Sequence, residues 1–282
     1  MLWGTTYLAI RIGLETIPPG LLGGLRYAAA GTLLAGILVL RGERLPPVSR
    51  WTWLGLVGLL TICVGNGGVI WAEQWVPSGI AAVTVATVPF WMIGMEALTP
   101  DGERVSTWLV AGLLIGFAGI LLLVWPDVTA PGAAGRQFLM GVAALQVGCI
   151  GWAVGSVMSR RHPREENVLS AAALQMVFGG LAMLVIGTAR GEWGHLSFTP
   201  RTLAAEVYLT LVGAVVGYSA YTYALKHLPT ATVSLYAYAN PIIAVVLGTL
   251  VLGEPFGARV VVASVMVLAG SGLVQWKGLR TS

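Results

Sequence analysis

Apolar runs of about twenty residues alternate along this chain with connections of a few polar residues. A helix of about 20 apolar residues crosses a bilayer. The pattern therefore predicts ten transmembrane helices, near residues 2–17, 19–40, 51–73, 77–98, 107–125, 137–159, 168–189, 203–226, 229–252 and 258–276. The most polar connections are "RGERLPPVSR" (41–50), "TPDGERVS" (99–106) and "RRHPREEN" (160–167), none long enough for a folded domain outside the membrane. The chemistry is therefore expected between the helices. The first run is short and holds Arg11 and Glu15, so the chain is expected to begin inside its first helix. Nothing basic precedes that run, as it would in a secretory signal. Lys and Arg concentrate in the cytoplasmic loops of membrane proteins. Ten of them fall on one side of the predicted spans, four on the other, and Arg11 and Arg26 inside spans. The ten-charge side is the expected cytoplasmic one. Both termini would lie there, in a multi-pass protein of the cell inner membrane.

Two of the apolar runs are interrupted. "SLYAYANPIIAVVLGTLVLGEPF" (234–256) carries Asn240-Pro241, and "TVATVPFWMIGMEA" carries Pro89. Proline has no backbone N–H, and its ring clashes with the preceding helical turn. The two prolines are 152 positions apart, as are Gly65 and Gly217, Ala72 and Ala224, and Pro77 and Pro229. Nearer the start the offset is 149, pairing Trp3 with Trp152, Arg11 with Arg160, Arg26 with Gln175 and Gly31 with Gly180. Matches in order at a near-constant offset point to a duplication, with one repeat in 1–135 and the other in 136–282. Five spans per repeat is an odd number, so the second repeat enters the membrane upside down. The predicted fold is an all-α membrane protein, ten transmembrane helices arranged as a 5+5 inverted repeat.

Inverted repeats place a substrate site near the midplane where the halves meet, and broken helices commonly line it. A carbonyl freed by proline must face protein or a watery cavity. Pro89 and Pro241 are therefore expected as helix breaks in the fourth and ninth helices, either as packing kinks or as part of the site. Asn240 is the stronger candidate. Its amide needs partners inside a membrane, and Val88 stands at the equivalent place in the first repeat.

Composition agrees with the membrane reading. Hydrophobic residues make up 56% and charged residues 10%, against about 25% charged in soluble domains. Gly numbers 38, and membrane helices use Gly for close packing. Cys63 and Cys149 lie in apolar runs without CxxC spacing and read as buried thiols. The net charge of +4 is distributed over loops and does not suggest nucleic acid.

"WGTTYLAIRIGLETIPP", "GGLRYAAAG", "AEQWVPSGIAAVTVATVPFW", "GERVSTWLVAGLLIGFAGILLL" and "LKHLPTATVSLYAYANPIIAVVLGTLVLGEPF" together resemble the EamA-type exporters of the drug/metabolite transporter superfamily. The resemblance covers nearly the whole chain. It implies export of amino acids or related small metabolites by alternating access. It also implies a central cavity lined by helices one, three, four, six, eight and nine, with helices five and ten at the periphery.

Charge inside a span is expensive. Arg26 lies about seven residues into the second span; it reads as a gating charge or, slightly favoured, as a structural partner of Glu15 or Glu73. Arg11 and Glu15 are four apart and are expected to pair on one helix face. Glu73, in "WAEQW", reads as an outer gate or proton carrier, or more simply as a carboxylate snorkelling at the interface. Glu96 and Glu206 lie near span ends, where charge is cheap. Glu103 and Glu254 occupy matching loop positions and read as helix caps.

Aromatic and amide groups within spans are the candidate substrate-binding residues: Asn66, Trp71, Trp91, Trp152, Tyr218, Tyr221, Tyr238 and Asn240, with Tyr236 beside them. Small-molecule pockets combine an apolar body with a few polar handles. The tyrosines equally suit bonds between helices that never touch substrate. Trp3, Trp51, Trp125 and Trp276 fit an interfacial belt.

No cofactor is expected, and His162, His195 and His227 are not placed as metal ligands. No GxxxxGK[ST] motif is present, so ATP does not drive the protein directly. A membrane-embedded enzyme would need a cluster of His, Asp or Glu at one depth; the sequence offers none, with Asp101 and Asp127 both in loops between the predicted spans, so no enzymatic activity is expected. A channel would want a selectivity ring. An aromatic-cation exporter would place a deep Glu in the first helix, where Thr5, Thr6 and Tyr7 stand instead. The expected partners are a small-molecule substrate and the lipid bilayer, and a single-chain repeat is compatible with a monomer.

Overall fold

The computed structural model describes residues 2–98, 107–161, 167–228, 233, 236–254 and 256–278. Glu103, His162 and Pro229 lie outside these residues, as do the side chains of Tyr238 and Trp276. Among the described residues the chain is helical, with no strand.

The helices are α1 (Leu2–Gly13), α2 (Pro19–Leu40), α3 (Val48–Ala72), α4 (Ser78–Val85 and Val88–Ala97) and α5 (Thr107–Val128), followed by α6 (Ala133–Arg161), α7 (Val168–Ala189), α8 (Pro200–His227), α9 (Tyr236–Leu252) and α10 (Ala258–Gly278). Helices α2 to α8 contain stretches long and apolar enough to cross a membrane; α9 and α10 contain shorter apolar stretches, Ala239–Leu252 and Ala258–Gly270. Most ends lie within four residues of the expected spans: α1 stops at Gly13 instead of residue 17 and α6 starts at Ala133 instead of 137, while the expected start of α9 at 229 lies outside the described residues.

The predicted interruption in the fourth helix is present. The helix stops at Val85, turns through Ala86 and Thr87, and restarts with Pro89 in its first turn. Proline suits that position, because the first N–H groups of a helix have no partner within it. Pro241 differs from the expectation. It lies inside α9, which continues from Tyr236 to Leu252. There the proline withholds one hydrogen bond without ending the helix.

Two further irregularities were not expected. Leu59–Asn66 in α3 and Leu209–Val216 in α8 are π-helical stretches of eight residues each, 150 positions apart. Such stretches are rare and often mark functional positions.

α2 packs along α7, α5 along α10, and α9 against the first part of α4. α1 lies against α9 and α8, while α6 lies against α4 and α3. Glycines permit the closest approaches. A methyl on Gly31 of α2 would stand 2.6 Å from the Ala173 carbonyl of α7, and Gly270 of α10 abuts Gly116 of α5.

Glu254 acts as the cap expected from its loop position, but on a helix from the other end of the sequence. Its carboxylate accepts from the Ser78 and Gly79 backbone N–H groups, at 2.8 and 3.0 Å, and from the Ser78 hydroxyl at 2.9 Å. Carboxylates are favoured there because the helix N-terminus is partly positive. Glu192 accepts similarly from the Leu21 N–H near the start of α2, at 3.0 Å. Glu254→Ala is expected to cost about 1–2 kcal/mol and to lower the melting temperature in detergent; an unchanged melt would remove the cap from the account.

Candidate functional site

A cavity of about 60 Å³ lies where α1, α3, α4, α6 and α9 meet. Its walls include Trp3, Tyr7, Asn66, Trp152, Tyr236 and Asn240. Val85 and Val88, on either side of the break in α4, also line it. Pro89 offers no N–H to the Val85 carbonyl, so the ladder is interrupted beside these two lining residues. No lining side chain among the described residues carries a charge. A second space of about 200 Å³, towards α8, shares Trp3, Tyr236 and Asn240 with the first and adds Tyr221. These three shared side chains form a partition between the two spaces.

The aromatic groups hold one another in place. Trp3 and Trp152 meet edge to face, with ring centroids 5.4 Å apart, and Trp3 also packs on Tyr236 at 5.0 Å. Such pairs contribute about 0.5–1.5 kcal/mol beyond area burial. Trp3 Nε1 donates to the Gly213 carbonyl in the π-helical stretch of α8, at 2.9 Å. This bond ties the π-helical stretch of α8 to a side chain of α1. Trp152 Nε1 donates to the Tyr221 hydroxyl at 3.0 Å, and that hydroxyl shares a further hydrogen bond with Ser156 at 2.7 Å.

The predicted site residues separate into groups. Asn66, Trp152 and Asn240 line the central cavity. Asn66 donates to the Thr61 carbonyl at 3.2 Å, whereas the Asn240 carbonyl oxygen is buried with no partner. A buried polar atom without a partner is costly and rare, which marks Asn240 as a group awaiting a donor. Tyr218 does not line this cavity. Its hydroxyl donates to Gln175 at 2.8 Å and shares a bond with Thr61 at 3.0 Å. Tyr221 lines only the second space. Trp91 donates to Gln146 at 3.0 Å and packs on Phe117. Trp71 packs on Trp75 and faces a separate apolar groove between α3, α6 and α7.

Trp3 is the cavity residue that the sequence reading misplaced at an interfacial belt. Its position 149 before Trp152 was the available signal. Thr6 and Tyr7 also line the cavity.

The charged residues require more correction. Arg11 and Glu15 do not pair, because α1 ends at Gly13 and Glu15 leaves the helix face. Arg11 donates instead to the Glu73 backbone carbonyl, and Glu15 pairs with Arg201 at 3.2 Å. Arg26, 1% exposed, pairs with neither Glu15 nor Glu73; it donates to the Leu209 carbonyl at 3.1 Å and lies over the Tyr27 ring. Glu73 does not snorkel and is fully buried. Glu206, expected where charge is cheap, is also buried. Glu96 fits its expected place, half-exposed and paired with Arg160 at 2.9 Å. Both cysteines are free thiols.

The profile of the EamA-like transporter family matches residues 1–125 and 139–276. An uncharacterized inner membrane transporter of Escherichia coli (strain K12), YedA, is 38% identical over 257 residues, covering 90% of this chain and 80% of that protein. A WAT1-related chloroplastic protein of Arabidopsis thaliana is 26% identical, over 97% of this chain and 67% of its own length. An uncharacterized transporter of Archaeoglobus fulgidus is 24% identical, over 96% and 94%. A solved crystal structure superposes with a TM-score of 0.71 at 21% identity, covering 100% of this chain and 95% of that one. That last likeness is one of fold.

Proposed function

This chain belongs to the EamA-like transporter family, and from that membership we propose that it is a secondary transporter exporting amino acids or related small metabolites across the inner membrane by alternating access. The observation that carries the site is the uncharged cavity, with the unpartnered Asn240 carbonyl oxygen in its wall. A transported molecule that donates an N–H there would satisfy the amide, while its apolar part would lie against Trp3, Trp152 and Tyr236. Aromatic amino acids combine both features. The cavity is small for such a molecule, so loading it would require the surrounding helices to part.

The arrangement we propose is a 5+5 inverted repeat, with the two halves rocking about this cavity. Several contacts support it. Trp3 and Trp152, equivalent in sequence, touch each other. Equivalent helices α2 and α7, and α5 and α10, pack against each other. Residues related by a two-fold axis meet in this way. The π-helical stretches recur in the two helices that would correspond, α3 and α8. Both termini are taken as cytoplasmic from the Lys and Arg distribution.

A second reading, export of aromatic cations, is favoured by the same uncharged aromatic walls, which offer faces to a cation. Uptake into proteoliposomes of labelled tryptophan, phenylalanine, leucine and tetraphenylphosphonium separates the two. The expected result is saturable tryptophan or phenylalanine uptake, reduced about tenfold by Asn240→Ala through the loss of one buried hydrogen bond. Movement of tetraphenylphosphonium alone would sink the metabolite reading. Saturable uptake unchanged in the variant would remove Asn240 from the site.

A further inference from the structure

Two carboxyl groups lie inside the protein without a partner. Glu73, the residue after α3, is 0% exposed, and neither of its carboxyl oxygens has a hydrogen-bond partner. Glu206 in α8 is 7% exposed, and its oxygens are also unpartnered. An ionised carboxylate that is buried without donors is expensive, and binding a proton removes the charge. Within a transport protein such residues commonly mark ion or proton paths.

Position distinguishes Glu73 from Glu206. On one side of Glu73 is a polar opening of about 770 Å³ lined by Arg11, Glu15, Gln74 and Glu254. On the other is Tyr7, close enough to interact with it electrostatically, and Tyr7 lines the central cavity. The remaining titratable or charged groups that act on Glu73 are Arg11 from α1, Arg26 from α2 and Glu254 from the α9–α10 connection. The arginines are engaged elsewhere: Arg11 donates to the Glu73 backbone carbonyl, and Arg26 to the Leu209 carbonyl. Positive charge is therefore at hand without an ion pair to the Glu73 carboxyl among the described residues. Neither carboxyl lines a space itself, but Gln74, next to Glu73 in the chain, lines the opening and Tyr7 lines the cavity, whereas Glu206 faces Arg26, which lines neither.

We propose that Glu73 is the proton-binding site that couples transport to a proton gradient, standing between the polar opening and the cavity. The proposal rests on the transporter reading above and names its coupling ion. In the conformation described, the carboxyl holds its proton. When the helices part on the cavity side, water reaches the group from there and the proton leaves to that side. One proton taken up from the face of the polar opening and released to the other face balances each substrate molecule moved outward. No other bond forms or breaks.

The first test needs no substrate. A carboxyl that keeps its proton when folded, and loses it when unfolded, lends stability that is present at low pH and lost as pH rises. Purified parent, Glu73→Gln and Glu206→Gln are melted in detergent between about pH 5 and pH 9. The parent melting temperature is expected to fall as pH rises. Glu73→Gln, which imitates the neutral carboxyl, should reduce that slope and melt at or above the parent at high pH; Glu206, buried and unpartnered too, adds its own share, so Glu206→Gln should leave the Glu73 part of the slope in place. A Glu73→Gln protein that retains the slope, or melts below the parent throughout, would show an ionised structural residue and overturn the proposal. Flattening by Glu206→Gln alone would also overturn it.

The second test uses labelled tryptophan in proteoliposomes with an imposed pH gradient. Gradient-driven accumulation should fall at least tenfold in Glu73→Gln, while exchange of label against internal unlabelled tryptophan persists. Accumulation equal to the parent would overturn the proposal. Absence of movement in the parent would count against the substrate named in the preceding section, and the melting series would still decide Glu73.

Discussion

Gly31→Leu is expected to destabilise the protein by about 3 kcal/mol or more, enough to lose most of the folded material, whereas Gly36→Leu on the same helix changes stability by less than about 0.5 kcal/mol. The difference lies in what the new side chain meets. A Cβ at Gly31 would stand 2.6 Å from the Ala173 carbonyl oxygen and 2.7 Å from the Val177 backbone nitrogen. Both belong to the backbone of α7, which cannot rotate aside as a side chain can. α2 and α7 would have to separate along their whole contact. At Gly36 nothing lies within 4 Å, and the position faces outward. Fluorescence-detected gel filtration and melting in detergent check the pair. Equal behaviour of the two variants would mean that the α2–α7 crossing does not depend on this close approach.

Trp152→Ala should remove saturable transport and cost about 3–5 kcal/mol of stability. Trp152 contacts Trp3 edge to face, packs on Tyr221 with centroids 4.9 Å apart, and donates to the Tyr221 hydroxyl. Truncation leaves a void beside Trp3 and removes a donor from Tyr221. Trp3 then loses the wall that holds it in the partition between the two spaces. Trp152→Phe separates the effects: it keeps most of the ring contact but loses the N–H. It should fold better than Trp152→Ala, with tryptophan uptake reduced but measurable. Full uptake by Trp152→Ala protein that remains folded would remove the aromatic cluster from the transport account.

The helical character, most of the helix boundaries and the break before Pro89 were legible in the sequence, and the reason is local. Apolar run length, charge placement and the missing N–H of proline act within one or two turns of the residue that carries them. The equivalence of Trp3 and Trp152 was legible too, as an offset, but not its consequence. Contact between the two rings depends on how α1 and α6 are brought together. The same applies to Tyr218 and Tyr221. Their shared helix face could be read from their spacing of three, but their bonding to Gln175, Thr61, Trp152 and Ser156 required the positions of three other helices.

Sequence by itself determined that this is a helical membrane protein of the EamA-like family, that its polar groups are few, and where one of its helices breaks. Tertiary structure alone decided the state of those polar groups. It separated Arg11 from Glu15 by ending α1 early and placed Trp3 at the cavity. It also enclosed Glu73 and Glu206 without partners, and it set Glu254 on the start of α4 from across the chain. The physical reason is that burial and pairing are properties of facing surfaces. Which surfaces face is settled by close backbone contacts, such as Gly31 against α7, between segments far apart in sequence.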